Sequence, residues 1–258
     1  MILTGTLRQW AGVLSLICAL AVNALASTGV LNGITTGEIS DQFDVYLVPA
    51  GYVFSIWGII YIGLIVFTVY QARSVHRDDA DLDRLGSWFV LSNLVNALWI
   101  VLFHFELFLL TLPVIAFLLY CLIRIILILE PGHTLGPAPR LWIAHLTFGI
   151  YLGWVTVATV ANAVQTLSAA GYSGAPLTAE IWALILYAAV VLISWGFSFR
   201  SANLPHALVL VWALAGTAVA DSGNTLIATA AWSSVALVVA GYLAGYAKRS
   251  RYGSPVVV

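Results

Sequence analysis

Charge is the scarcest property of this chain. Asp, Glu, Lys and Arg make up 8% of its 258 residues, against 62% hydrophobic ones, and the mean hydropathy is +1.00. Too few polar side chains are left to coat a water-facing surface of that size, which excludes a soluble globular domain and leaves a polytopic membrane protein. Cysteine is nearly absent: Cys18 and Cys121 both lie in apolar runs, so there is neither a disulfide framework nor a soft-metal cluster. With a net charge of -1 and no basic block, no positive footprint for a nucleic acid exists. There is no glycine-rich phosphate loop, and His76, His104, His133, His145 and His206 fall in different segments without ligand spacing, which argues against a metal constellation. Conventional acid, base and nucleophile groups are few in the apolar runs, so no catalytic set is named; binding is favoured over catalysis, with enzyme action the weaker alternative.

What the chain does have is apolar length. Eight runs, at about 9–30, 50–72, 85–104, 107–129, 141–165, 180–199, 205–220 and 226–247, are near the roughly 20 residues that cross a bilayer as a helix. Helix is expected because isolated strands leave unpaired backbone groups in lipid. The seventh run is the shortest, bounded by Pro205 and Asp221. The first run, with Arg8 before it and Ala24-Leu25-Ala26 within it, also fits a cleaved signal peptide, which would leave seven spans. The expected fold class is therefore all-α, a transmembrane helical bundle of about eight spans.

Charge between the runs alternates. With a cytoplasmic N-terminus, Arg8, Arg73, Arg77, Arg84, Arg140, Arg200, Lys248, Arg249 and Arg251 lie inside, and Glu38, Asp41, Asp44, Glu106, Glu180 and Asp221 outside. The positive-inside rule then places both termini in the cytoplasm, in a cell (inner) membrane, and an odd number of spans would spoil the pattern. Arg124, within the fourth run, reads as a side chain snorkelling to the headgroups, in the same shallow layer as His145. His104 and Glu106 read as a surface turn. Gly58, Gly63, Gly149 and Gly153 read as packing glycines, the last two four residues apart on one face. The mixed-charge connection RSVHRDDADLDR reads as a headgroup-facing hinge.

Large rings and amides recur at helical spacing. Trp57 and Tyr61, Asn96 and Trp99, and Trp154, Ala158 and Asn162 each share a helical face. In the expected topology their depths overlap in the outer half of the bilayer, and Asn23 reaches the same level. Amides are costly in lipid, so Asn23, Asn93, Asn96 and Asn162 face other helices or a cavity, as interhelical glue or as ligand contacts. Trp10, Trp88 and Trp142 are accounted for as interface anchors. Broad aromatic faces with a few amides suit a flat, apolar ligand.

Three ordered motifs carry a family resemblance. VPAGYVFSIWGIIYIG supplies Pro49, Val53-Phe54, Trp57 and Tyr61; LVNALWIVLFHF supplies Asn96, Trp99 and Phe103; YLGWVTVATVAN supplies Tyr151, Leu152, Trp154, Ala158 and Asn162. In this order, on the second, third and fifth runs, they resemble the tryptophan-rich sensory protein family, also called the translocator protein or peripheral benzodiazepine receptor family. The resemblance covers roughly residues 1–165. It implies a five-helix core at 1–165 and an extension at 166–258 with three further helices, packed with it as one membrane domain. It also implies a ligand site formed by Asn23, Pro49, Phe54, Trp57, Tyr61, Asn96, Trp99, Trp154, Ala158 and Asn162, with the loop from Leu31 to Val48 over its opening. The implied ligands are tetrapyrrole-like or sterol-like, with porphyrin or haem as a ligand and no required cofactor. The expected function is a membrane receptor or sensor for a hydrophobic small molecule; the alternative is a secondary transporter or exporter of one. Expected partners are membrane lipids and that small molecule, with a homo-oligomer left open because the added helices could replace an interface of the smaller relatives.

Overall fold

The structure is a computed structural model in which residues 3–40, 42–43, 46–130, 141–172 and 176–252 are described. Arg140, Asp41, Asp44 and His133 lie outside them, so their expected sides are not placed. The order is α1 (Gly5–Ser27), the short α2 (Thr36–Ser40), a 3-10 turn (Gly51–Ser55) running into α3 (Ile56–Ala72), a 3-10 turn (Ser74–His76), α4 (Ala80–His104), α5 (Phe108–Leu129), α6 (Trp142–Ala169), α7 (Ala179–Ser201), α8 (Leu204–Ala220) and α9 (Thr225–Tyr252). Among the described residues there is no strand. Among the described residues seven helices are long and apolar enough to cross a membrane, and α8 is a shorter apolar helix of 17 residues. At 1.5 Å per residue α8 is about 25 Å long, short of the roughly 30 Å hydrocarbon layer.

Helices α1, α3, α6, α5 and α4 close a ring in which each packs on the next, and α8 packs on the outside of α6, followed by α9 and α7. Helix α1 is a full member of this ring: Leu16, Ala19, Asn23 and Ala26 are buried along one face. Its start is clamped by Arg8, only 2% exposed, which pairs with Asp83 at 2.9 Å and donates to the carbonyls of His76 at 2.6 Å and Arg77 at 3.1 Å. Gln9 adds bonds to the carbonyls of Gln71 and Arg73. The connection expected to be a headgroup-facing hinge is thus fastened to the bundle by a buried guanidinium.

Local sequence sets the helix ends. Asp79 caps α4 by accepting from Asp81 and Leu82 amides, and Thr178 caps α7, as N-terminal amides without an intrahelical partner require. Helix α7 stops because Ala202 turns left-handed at φ 52°. Asn203 then caps α8 through the His206 amide at 3.0 Å, with Pro205 in the first turn where no amide is needed.

Two of the expected packing glycines join α6 to α8. A Cβ on Gly149 would meet Asn203 and Pro205, and one on Gly153 would meet the His206 backbone and Val209. Gly63 lets Thr147 approach α3. Gly58 corrects the expectation: nothing lies within 4 Å of the position its Cβ would take. Trp10 and Trp142 are exposed, as interface anchors would be.

Candidate functional site

The aromatic faces anticipated from spacing do meet inside the five-helix ring. Trp57 stacks on Tyr61 with ring centroids 5.5 Å apart, and its edge approaches Tyr151 at 6.0 Å and Trp154 at 6.2 Å. Phe54 meets Trp154 edge-on at 5.5 Å, while Trp99 stacks on Phe103 at 5.1 Å. Between these rings is a cavity of about 50 Å³, lined by Pro49, Phe54, Trp57, Trp99, Trp154 and Ala158 with Phe103, Val157, Ala161, Thr36, Ser40, Val48 and Gln165. A larger groove of about 670 Å³ lies near the α4–α5 turn, lined by Gln42, Phe43, the 106–110 segment, Ala169 and Ala170. That groove is open and brings no set of polar groups together, so the small aromatic cavity is the better candidate.

Four of the ten candidates sit beside this space rather than on it. Tyr61 donates to the Asn23 oxygen at 2.6 Å, and the Asn23 amide donates to the Asn96 oxygen at 2.8 Å and the Ala19 carbonyl at 2.8 Å. This chain ties α3, α1 and α4 together beneath the Trp57–Tyr61 stack. Asn162 accepts weakly from the Trp99 indole at 3.5 Å. Asn93 bonds Ser15 at 3.1 Å. Three buried donors have no partner: the Trp154 indole N–H, Asn96 Nδ2 and Asn162 Nδ2. An unsatisfied buried donor costs about 1–3 kcal/mol, so a polar group that reached these three would be favoured; Ser194 Oγ and His206 Nδ1, away from the cavity, are likewise unpartnered.

The described part of the connection between α1 and α3 is tied to the bundle. Helix α2 supplies Thr36 and Ser40 to the cavity, and Gln165 of α6 donates to Ser40 at 3.0 Å. The surface-turn reading of His104 is corrected here: it is 1% exposed, because Asn32 and Thr36 close over it. Its Nδ1 meets Asn32 Oδ1 at 2.9 Å, its Nε2 meets Thr36 Oγ1 at 2.9 Å, and Asn32 also donates to the His104 carbonyl. Both imidazole nitrogens are therefore engaged, and among the described residues no histidine lines the cavity, so these offer a haem iron no free axial nitrogen there. Beside the loop, Thr35 holds the Glu38 carboxylate below its ordinary range through its backbone and side chain.

A second polar group was not anticipated. At the opposite end of the bundle Glu130, 4% exposed, caps the end of α5 and is met by His145 of α6, by Ser201 Oγ of α7, and by Asn203 Nδ2 at 3.1 Å. Asn203 Nδ2 also lies 3.0 Å from His145 Nε2. In the expected Arg124 and His145 layer the two side chains have separate partners, and Arg124 is exposed on the outside of α5, as a snorkelling side chain would be. Arg124 stacks over Trp88 at 5.1 Å and bonds Tyr120, while His145 belongs to Glu130. The only sequence signal was an acidic residue directly ending an apolar run, and its partners come from three other helix ends. Among the described residues no group of three or more His, Cys, Asp or Glu side chains could hold a metal ion.

The family model described as TSPO-like protein matches residues 9–244. The chain belongs to the TSPO-like family. The match runs well past residue 165, so α7, α8 and most of α9 lie within it, and the TSPO-like region includes the helices that sequence motifs alone had set apart as an extension. No curated protein and no solved structure matches the chain. It is a polytopic membrane protein of this family.

Proposed function

We propose that this TSPO-like protein is an integral membrane receptor or sensor that binds a flat hydrophobic molecule, tetrapyrrole-like or sterol-like, within the aromatic cavity. The observation that carries this reading is the convergence of Phe54, Trp57, Trp99 and Trp154 on one space with an unpartnered Trp154 N–H at its wall. Rings stack on the ligand face, and the indole donates to an acceptor on its edge. Asn23, Tyr61, Asn96 and Asn162 hold the wall helices and leave two further amide donors in reserve. In this reading residues 1–165 form a translocator-protein-like core, residues 166–258 pack on it as one membrane domain, α8 completes eight spans, and both termini face the cytoplasm of an inner membrane. Haem or porphyrin would be a ligand and not a required cofactor. The cavity of about 50 Å³ is far below the roughly 300–1,000 Å³ of sites for molecules of that size. Binding therefore requires the wall to open.

The test is titration of the purified protein with a porphyrin panel, with Trp154→Phe beside the parent. Loss of one neutral hydrogen bond, about 0.5–1.5 kcal/mol, raises Kd by about two- to tenfold. Because Trp154→Phe also shortens a buried ring that meets Phe54 and Trp57 edge-on, unfolding of the unliganded variant is measured beside the titration, so that a binding loss is read apart from a packing loss. Absence of saturable binding by every member of the panel removes the tetrapyrrole inference.

The second reading, a transporter or exporter of a hydrophobic molecule, draws on the buried Glu130–His145 pair at the end away from the cavity, since ionisable groups inside a membrane bundle commonly mark ion or proton pathways. Flux in proteoliposomes that depends on the protein and is lost in Glu130→Gln would favour it over the receptor.

A further inference from the structure

We infer that the end of α8 nearest the cavity is the fixed post against which the cavity entrance closes, and that a hydrophobic ligand enters from the lipid side when segment 46–54 leaves this post. The ligand is the one that the receptor reading supplies, and the inference rests on that reading. Segment 46–54 alternates between two tasks. Val48, Pro49 and Phe54 line the cavity. The residues between and around them hold α8 or the turn that follows it.

The contacts are continuous. Asn224 donates to Tyr46 Oη at 3.1 Å. The Leu47 backbone lies near enough to the Asp221 carboxylate to favour its charged form, with Leu47 fully buried at φ 77°, a conformation that costs a non-glycine residue about 1–2 kcal/mol. The Ala50 amide donates to the Gly216 carbonyl at 3.3 Å, and the Trp212 indole donates to the Val53 carbonyl at 3.3 Å. The rings of Tyr52 and Trp212 meet edge-on at 5.4 Å. Val53 seats directly on Gly216, where an added Cβ would lie 3.4 Å from the Cβ atoms of both Val53 and Pro49. While valine occupies position 53, only glycine leaves room for that seat.

Two sides of the roof differ in kind. On the loop side α2 is held by the His104, Asn32 and Thr36 cluster and by Gln165 with Ser40, a polar latch among groups that an apolar ligand does not replace. On the α8 side the outermost contact is the Tyr52–Trp212 pair, 51% and 40% exposed, flanked by single backbone bonds. The remaining wall, Trp57, Trp99, Trp154 and Ala158, stands on long ring helices. The two sides carry similar numbers of hydrogen bonds, but only the α8 side ends in a half-exposed aromatic pair, so it is there that the wall reaches the outside of the bundle and there that an apolar molecule outside the bundle first meets it.

The experiment locks the segment to the post. In a Cys18→Ala, Cys121→Ala background, Val53→Cys with Gly216→Cys places two Cβ atoms near the spacing a disulfide needs. A third cysteine, Ala158→Cys, reports access to the cavity through its labelling rate with N-ethylmaleimide. Ser222→Cys, on the exposed turn after α8, replaces that reporter in a control. Oxidation should slow labelling at position 158 by about tenfold or more, reduction should restore it, and position 222 should not respond. In a chain with the Ala158→Cys reporter but no locking pair, Trp212→Ala should speed labelling. Equal rates in the oxidised and reduced forms, or failure of the 53–216 pair to cross-link, overturn the inference. The readout contains no porphyrin, so its failure is distinct from failure of the receptor reading. If protoporphyrin IX does not bind the parent protein while oxidation still closes the cavity, the receptor reading falls and the entrance stands; if it binds and labelling ignores oxidation, the entrance falls.

Discussion

Replacing Gly153 by alanine should push α6 and α8 apart, whereas the same replacement at Gly58 should not destabilise the protein. At position 153 the new Cβ would lie 2.9 Å from the His206 carbonyl oxygen, 2.9 Å from Val209 Cβ and 3.3 Å from His206 Cα, against the roughly 3.5–4.0 Å at which carbon contacts are favourable. Two of the three neighbours are backbone atoms, which cannot rotate away, so the helices must separate by several tenths of an ångström. Overpacking of this kind costs about 1–3 kcal/mol. At position 58 nothing lies within 4 Å, and what remains is the helix preference of alanine over glycine, about 0.8–1.0 kcal/mol in favour of the variant. One chemical change, made at two intramembrane glycines, thus has opposite signs. Equilibrium unfolding in detergent, followed by circular dichroism, reads both; each 1.4 kcal/mol is a tenfold change in the folded-to-unfolded ratio. Parental stability in Gly153→Ala, or a shift of the same sign in both variants, would refute the proposed α6–α8 seam.

Glu130→Ala should destabilise by about 1–3 kcal/mol for each donor left unpaired, Ser201 and Asn203 foremost, while Glu130→Gln retains an acceptor and loses less; the same unfolding assay ranks the two. Asn23→Ala removes the acceptor of Tyr61 and the donor to Asn96, and because interhelical bonds in membranes average about 0.6 kcal/mol each, the loss should be near 1 kcal/mol. Burial pushes the Asp221 carboxyl up from its ordinary value of 3.8, partly offset by the Leu47 backbone. The folded state then holds this proton more tightly than the unfolded one. Its contribution to stability is therefore present below the ordinary value and is lost as pH rises through the raised one. Asp221→Asn should flatten this part of a stability–pH profile, and an unchanged slope across that window would count against the assignment.

The composition by itself determined that this chain lives in lipid and is helical, because a backbone in hydrocarbon must satisfy its own hydrogen bonds and only continuous helices do so within each apolar run. Helical spacing also made the Trp57–Tyr61 stack and the shared face of Trp154, Ala158 and Asn162 legible, since neighbours three and four apart meet whatever the tertiary fold. Even the shortest run was marked by Pro205 and Asp221, although only the structure shows it as a 17-residue helix packed on α6.

Tertiary structure alone decided which side chains share a space. Asn23, Asn96 and Tyr61 had the same credentials as Trp57 and Trp154, yet they bond one another while the indoles line the cavity. Glu130 finds His145, Ser201 and Asn203 from three separate helix ends, and Gly216 matters because Val53, far away in the chain, rests on it. The physical reason is that a helix in lipid is apolar on its outer and its packed faces alike. Hydropathy therefore marks a span but not the face it buries, and the choice falls to close packing and polar pairing between helices, which exist only once the bundle has assembled.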